Sequence, residues 1–533
     1  MIEIKITLSD ILTAREERVA IQNALLAEYH APVISFTMNM AGPVKVTALS
    51  HRAFLWGMEQ LRLGFVQNRM KVLKEYSRAL PTGDEAYFAI DAPAEQVKAL
   101  CVEIEESSPA GRFYDMDVIG LDGHKLERGM ERPCIVCHRP GRECASRRLH
   151  TVEELQWATR TNLQLASLLL DRHKLSVLAT NALLEEVAVT PKPGLVDRAD
   201  NGAHKDMDFS SFQASAAALT PYWEACFREG MRPAYPPVSA VGAASGRQPE
   251  AGAPQMCHSE RSEESVPPAA TGEKGTDPST PLCSAQEDRQ WLLSPAETFA
   301  ALRPLGKQAE RDMLAATGGV NTHKGAIFTL GVLCGAIGRR WTAENGFPSV
   351  DIILNEAAAM TRETLERELP AARWHTAGEA LYRQYGARGI RGQVADGLPA
   401  VREISLPVFK KLLAQGLDRN HAAAVTLLHL IAHVEDTNLL HRGGPEGAAW
   451  ARAAAAELLQ QGSGDEGTDS STPLCSAQND KQETLALPAD DRVPSLEEIA
   501  ELDRQFIARN LSPGGCADLL AVTLFLESLS AEF

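Results

Sequence analysis

The apolar rhythm of this chain changes partway along, and that change rules out a single uniform fold. Up to about residue 120, short β-like runs (Val33–Met38, Ala86–Ile90, Asp117–Ile119) alternate with helical stretches at Arg15–Ala27 and Arg52–Leu63. The opening Met1–Ile6 alternates apolar and charged residues as an edge strand does. From about Val152 onward, Ala- and Leu-rich segments keep a three-to-four spacing: Val177–Val189, Ile353–Leu369, His421–Val434, Ala448–Leu459 and Ala517–Leu529. The first pattern predicts an α+β domain over residues 1–170, the second an all-α domain over 171–533. A chain of 533 residues is also too long for one growing core.

Two low-complexity segments, about 233–290 and 462–483, interrupt the helical half; rich in Pro, Gly, Ser and acidic residues, they lack the apolar surface needed for order. They share sequence, since Gly272–Gln290 recurs as Gly464–Gln482. One repeated pair without a hydrophobic period is no solenoid. The segments read as insertions, which long surface loops tolerate because closure entropy grows slowly with length.

A formal net charge of −17 argues against nucleic acid or an anionic membrane as partner. No apolar run reaches the length of a membrane span, and the start lacks a secretory signal. Ten cysteines without a signal read as thiols or metal ligands in a reducing cytoplasm.

Four polar motifs stand out in the helical half. Gly319-Val-Asn321-Thr322-His323-Lys324-Gly325-Ala326 places an amide, a hydroxyl, an imidazole and an ammonium before an apolar helix, whose N-terminus favours an anion. Glu185–Asp197 ends a helix in a Pro-Lys192-Pro-Gly turn, then continues to His204 and Asp206. Tyr385–Gly392 alternates glycine with Arg388 and Arg391, which suits phosphate. Glu435-Asp436-Thr437-Asn438 follows a helix and leads to His441-Arg442-Gly-Gly. His429 and His433, four apart on a helix, can grip a metal but bring no fixed third ligand.

The first half offers Asp115 and Asp117, which period two points to one strand face, a pair suited to Mg²⁺ on a polyphosphate. Lys45 follows the Gly42-Pro43 turn and Arg112 precedes the aspartates. Cys134, Cys137, Cys144 and His150 read either as a four-ligand set for Zn²⁺ or as a histidine beside reduced, unliganded thiols, since their spacing matches no strict zinc module. From His124 to His150, Lys125, Arg128, Arg132, Arg139, Arg142, Arg147 and Arg148 outnumber the acidic residues, a positive patch on a negative protein.

Residues 183–197, 318–328, 386–392 and 435–444 together resemble the triphosphoribosyl-dephospho-CoA synthase family, in the family's order. The first 170 or so residues resemble citrate lyase holo-acyl-carrier-protein synthase through Gly42–Lys45, Gly111-Arg112 with Asp115 and Asp117, and Cys134–His150. The resemblance implies a nucleotidyltransferase-like first domain and two consecutive reactions. The second domain would condense ATP with 3′-dephospho-CoA and release adenine. The first would transfer phosphoribosyl-dephospho-CoA to a serine of the citrate lyase acyl carrier (gamma) subunit and release pyrophosphate. It further implies phosphate binding by Lys192, Lys324, Arg388 and Arg391, with Asn321, Thr322 and Asn438 at the substrate. Asp206, Glu435 and Asp436 would serve Mg²⁺ or the base role, His204 or His323 acid–base work, and Lys45 and Arg112 the triphosphate at Asp115 and Asp117. Two further functions fit the same motifs: a non-catalytic assembly factor that binds apo-carrier and coenzyme, and maturation of malonate decarboxylase.

Overall fold

A computed structural model describes residues 4–233, 292–371, 377–460 and 492–531; both low-complexity segments lie outside them apart from Pro233. The chain opens with α1 (Leu8–Tyr29), β1 (Val33–Met38), α2 (Ala48–Gln67), β2 (Lys71–Arg78), β3 (Glu85–Asp91), α3 (Ala94–Glu106) and β4 (Tyr114–Ile119). The strands form an antiparallel sheet ordered β2-β3-β1-β4. Ile34, Phe36, Phe88 and Met116 bury one face under Phe54, Leu61 and Phe65 of α2 and Val97 and Leu100 of α3. On the opposite face, Val33, Tyr87 and Ala89 pack against Leu25 of α1.

Two expectations are corrected. Ile4–Ile6 form no strand: Ile6 donates one hydrogen bond to Pro43 O, and Thr7 at once caps α1 through a reciprocal pair with Asp10. Conversely β2 is an edge strand without a sequence signal, because Lys71, Lys74, Glu75 and Ser77 are exposed and only Leu73 among its apolar residues packs on the core.

After the short α4 (Gly141–Arg147), α5 (Val152–Ala188) runs unbroken for 37 residues. Leu163 and Ala166 in its first half join the core beneath the sheet, whereas Leu175, Ala179 and Leu183 join the second core. Beside it, Arg52 of α2 grips the Asp171 carboxylate at 2.7 and 3.0 Å, which also accepts 2.6 Å from Trp341 Nε1. The unbroken helix, this ion pair and a second one between Arg160 and Glu344 at 3.4 Å join the two halves.

All further elements among the described residues are helical: α6 (Phe209–Gly230), α7 (Pro295–Ala316), α8 (Lys324–Arg340), α9 (Val350–Ala371), α10 (Ala377–Tyr385), α11 (Gly389–Ala395), α12 (Leu406–Ala414), α13 (Arg419–His433), α14 (Thr437–Gln460), α15 (Leu496–Ala508) and α16 (Gly514–Ser530). A single π-turn at Ala400–Ser405 precedes α12. Helices α8, α13 and α16 are buried nearly all round, so they form the centre. Helices α6 and α8 touch backbone to backbone: a Cβ at Gly230 would meet Gly335 O at 2.1 Å, and one at Gly338 would meet Phe227 O at 2.1 Å. None of the described helices is long and apolar enough to cross a membrane.

The chain leaves the described frame at Pro233 and re-enters it at Leu292, where those two residues bridge and Leu293 N donates to Arg232 O at 3.2 Å. It leaves again at Gln460 and returns at Arg492, whose N–H donates to Leu459 O at 3.2 Å. Each excursion begins and ends at one point of the helical frame.

Candidate active sites

In the helical half, a cavity of about 340 Å³ opens where several helices begin. Its wall is made of Asn321–Ala326 at the start of α8, Thr437 and Asn438 at the start of α14, and Ser512, Gly514 and Gly515 at the start of α16, with Phe212 from the first turn of α6. Helix N-termini carry unsatisfied N–H groups and a partial positive charge, so this convergence favours a multiply charged anion.

The Pro191–Gly194 turn is pinned from all sides. Gly194 has a φ of 68° and a Cβ there would meet Leu511 O at 2.1 Å, so only glycine fits. Its N–H donates to Asp503 at 2.7 Å, while Asp197 accepts from Lys192 N at 3.2 Å. Burial pushes Asp503 up to about 7. So held, Lys192 is 2% exposed and its Nζ meets Glu186 Oε1 at 2.7 Å and the Glu186 carbonyl at 2.9 Å.

Asp518 of α16 lines the same cavity and accepts the Ala326 N–H of α8. Burial first, then the charges of Glu186 and Asp436, raise its carboxyl well above the ordinary carboxylate range. Gly325 makes this approach possible, since a Cβ there would lie 1.8 Å from Asp518 Oδ2.

His204 accepts from Arg442 Nη2 at its Nδ1 (3.0 Å), which leaves Nε2–H to donate to Ser512 Oγ at 2.8 Å. Burial and the Arg442 charge pull His204 down to about 4, so the ring is neutral at pH 7. His323, 3% exposed, meets Ser215 Oγ at 2.7 Å through Nδ1, and its buried Nε2 has no partner. Burial, with Lys192 nearby, holds His323 down to about 3.

The cavity thus gathers Lys192, His204, Asn321, Thr322, His323, Lys324 and Asn438 from three motifs far apart in sequence. Asp206, Arg388, Arg391, Glu435 and Asp436 are not among its lining residues. Arg388 pairs with Asp396 at 2.6 Å, and Arg388 and Arg391 flank Ile390, which does line the wall. Asp206 and Glu435 are exposed. Asp436 is buried and spends its carboxylate on the N–H groups of Asn438 (2.7 Å), Leu439 (3.1 Å) and Cys516 (2.8 Å), tying the start of α14 to that of α16.

Sequence reasoning missed Ser512, Asp518 and Glu186. Its available signal was Leu511-Ser-Pro-Gly-Gly-Cys-Ala-Asp518, a polar glycine turn before an apolar helix of the same kind as residues 319–326.

In the sheet domain, a larger cavity of about 1310 Å³ is lined by Lys98, Arg112, Asp115, Asp117, Lys125, Arg128, Arg132, Arg142 and Arg148, among others. On β4, Asp115 and Asp117 lie opposite Thr37 and Ser35 of β1 and share the side facing away from buried Tyr114, Met116 and Val118. Burial and Asp115 raise Asp117, an effect opposed by an ion pair with Lys125. Buried Glu105 collects Arg128 and Arg132 and accepts Met116 N–H at 2.9 Å, fixing this cationic wall beside the aspartates. Burial and the neighbouring arginines lower Arg112. Lys45 is not among the lining residues; its Nζ donates to Met40 O.

Cys134, Cys137, Cys144 and His150 bring their ligand atoms within 4.8 Å of one another, the one group of three or more potential metal ligands found among the described residues. Burial works against the Cys134 thiolate, yet the N–H groups of Cys137 and Val136 bring it down to about 7. His429 and His433 stack at 6.2 Å, and His433 Nδ1 meets the His429 carbonyl at 2.9 Å.

A model of the family described as ATP:dephospho-CoA triphosphoribosyl transferase matches residues 172–261 and 265–533. A second, described as apo-citrate lyase phosphoribosyl-dephospho-CoA transferase, matches residues 6–165. Among curated relatives, Protein CitXG of Haemophilus influenzae is 30% identical over 98% of this chain and 96% of its own length. A probable 2-(5″-triphosphoribosyl)-3′-dephosphocoenzyme-A synthase of Citrobacter koseri is 37% identical over 68% of this chain and 92% of its own. With both models matched in tandem and a full-length fused relative, the chain belongs to the ATP:dephospho-CoA triphosphoribosyl transferase family and carries an apo-citrate lyase phosphoribosyl-dephospho-CoA transferase domain before it.

Proposed function

We propose that each reaction of this bifunctional transferase takes place in one of the two cavities, triphosphoribosyl-dephospho-CoA synthesis among the helices and transfer to the citrate lyase carrier beside the sheet. The convergence of helix N-termini around a neutral histidine and a raised carboxyl carries the first assignment. The triphosphate of ATP lies against the first turns of α8, α14 and α16, with Asn321, Thr322, Lys324 and Asn438 as side-chain donors. Arg388 and Arg391 reach it from either side of Ile390, with Arg388 exchanging Asp396 for phosphate. Glu186, polarised by Lys192, takes the proton of the dephospho-CoA ribose 2′-hydroxyl as that oxygen bonds to C1′ of ATP. The C1′–N9 bond breaks, and Asp518, kept protonated by burial, gives its proton to a ring nitrogen of departing adenine. His204 does not shuttle protons: Arg442 fixes its tautomer, so Ser512 accepts from Nε2 and turns its own O–H toward substrate. Exposed Asp206 and Glu435 hold the Mg²⁺ that accompanies ATP, and Asp436 positions the helix starts.

In the sheet domain, which we read as nucleotidyltransferase-like, Asp115 and Asp117 hold Mg²⁺, which supplies charge neutralisation on the triphosphate. Arg112 and Lys125 bind that triphosphate, while the carrier's serine oxygen bonds to the α-phosphorus and pyrophosphate leaves. The arginines of residues 128–148 face the acidic carrier. The metal of the cysteine cluster we take to be zinc, apart from both reactions. The two excursions outside the described residues we read as insertions that leave the helical frame intact. The assembly-factor and malonate readings are not favoured, because both family descriptions name transferases and one names apo-citrate lyase.

The test is Asp115→Asn assayed twice: with ATP and 3′-dephospho-CoA for adenine, and with supplied triphosphoribosyl-dephospho-CoA and apo-carrier for transfer. Transfer should disappear while adenine release stays at the wild-type rate. Equal loss of both would refute the division of labour.

A further inference from the structure

The segment between β4 and α5 builds most of the cationic wall of the transfer cavity, yet it has almost no core. From Leu121 to His150 the buried residues are Cys134 and Cys144 alone, and its one helix, α4, has seven residues. Such a stretch cannot order itself by apolar burial, and small modules of this kind are commonly held by a metal.

The four side chains that meet there come from three places. Cys134 and Cys137 flank a tight turn in which Val136 N–H points at Cys134 Sγ (3.5 Å) and His138 N–H donates to the Cys134 carbonyl (3.1 Å). Cys144 sits on α4, its Sγ 3.4 Å from that of Cys137. His150, one residue before the Thr151 cap of α5, points Nε2 at Cys137 Sγ (3.2 Å) and turns Nδ1 toward Glu154 at 3.9 Å. A tetrahedral zinc with Zn–S of about 2.3 Å and Zn–N of about 2.0 Å sets its ligand atoms roughly 3.5–3.8 Å apart, close to these separations. A carboxylate behind the histidine is the usual outer partner that orients such a ring. The sulfurs are too far apart for the disulfide bond length of about 2.05 Å.

We infer that this Cys₃His zinc is a structural clamp that holds the Arg142–Arg148 side of the cationic wall of the transfer cavity and anchors it to the start of α5, the Arg128–Arg132 side being held by Glu105. The clamp rests on the zinc reading given above and adds a role to it. The same turn is stitched to the wall by Gly141 N–H donating to Arg132 O at 3.0 Å and Arg142 N–H donating to Glu131 at 2.7 Å. Arg132 in turn donates to Tyr114 O at 2.7 Å, beside Asp115. Losing the ion therefore frees Arg142 and Arg148 to leave the cavity without touching the helical core, while Arg132 keeps its pair with Glu105 and its bond to Tyr114 O.

The full-length protein would be analysed for bound metal, and wild type, Cys144→Ser and His150→Cys compared by hydrogen exchange and by both assays. One zinc per chain is expected in wild type and in His150→Cys, which keeps four ligands, and none in Cys144→Ser. Without zinc, residues 125–150 should exchange faster and transfer should fall at least ~10-fold, with adenine release unchanged. A zinc-free Cys144→Ser that keeps wild-type exchange and transfer would leave the zinc assignment standing and overturn the clamp. Wild-type protein with no bound zinc, or with Cys137 and Cys144 joined as a disulfide, would overturn both.

Discussion

Gly325→Ala tests whether the Asp518 carboxyl is the acid of the synthase reaction. In the native packing α16 presses this carboxyl onto the first turn of α8, so a methyl at position 325 would sit 1.8 Å from Oδ2 and 2.7 Å from Cγ. Relief needs the carboxyl to retreat by more than ~1 Å, which breaks its bond from Ala326 N–H. Overpacking of this kind costs ~1–3 kcal/mol, of which the better helix propensity of alanine returns up to ~1 kcal/mol. The stability loss is therefore modest, about 1–2 kcal/mol, a shift of a few degrees in Tm. The catalytic loss is larger, because displacing a reacting group by ~1 Å costs on the order of 100-fold. Adenine release should accordingly fall about 100-fold in kcat with little change in KM for ATP, since the phosphate-binding N–H groups stay in place. Gly306→Ala is the control: in the interior of α7 its Cβ would meet only Tyr222 Oη at 3.4 Å, so activity and Tm should match wild type. Wild-type kcat in a folded Gly325→Ala protein would refute the role given to Asp518.

Two further outcomes follow from the same geometry. His204 stays neutral down to about 4 when folded, whereas an unfolded imidazole takes its proton near ~6.5, so this residue's contribution is whole above that pH and is lost as pH falls toward 4. Asp503, raised to about 7, acts in the opposite sense, so the comparison must be with a variant: on going from pH 7 to pH 5, His204→Gln should lose less Tm than wild type, and parallel curves would refute the neutral assignment. Replacing residues 234–291 and 461–491 by short Gly-Ser turns should preserve adenine release, because the chain ends at Arg232 and Leu293, and at Leu459 and Arg492, already meet. Shortening such loops changes closure entropy by only ~0.6 kcal/mol per halving, so lost activity in the deletion would sink the insertion reading.

Much of this protein is legible in its sequence because local patterns carry it. The three-to-four spacing at 421–434 and 517–529 marks helices that turned out to be the buried centre, and period two put Asp115 and Asp117 on one face of β4. The edge strand β2 is illegible for a matching reason: its partner supplies the hydrogen bonds, most of its side chains are exposed, and a bulge between Val72 and Lys74 interrupts the register, so no clean apolar alternation is left to read. The residues that a motif presents on a helix start do line the cavity of the helical half, because glycine, a polar cluster and an apolar run announce an N-terminus wherever it folds.

The residues whose surroundings the sequence does not reveal are those held by distant neighbours. Glu186 and Lys192 are close in sequence, yet only the pinning of the 191–194 turn by Asp503 and Leu511 turns the lysine inward onto the carboxylate. Asp436 looks like a metal ligand in Glu-Asp-Thr-Asn, and becomes the knot between α14 and α16 only because Cys516 N–H arrives from eighty residues away. His204 offers an acid–base group to anyone reading the chain, whereas in the structure Arg442, a donor that cannot give up its charge, meets Nδ1 and Nε2 faces Ser512, the arrangement on which the proposed donor role rests. Residue type suggests chemistry, but the protonation state that decides it is set by partners from other helices, and in the proposed mechanism those partners make the histidine a fixed donor and leave the proton work to two carboxyls.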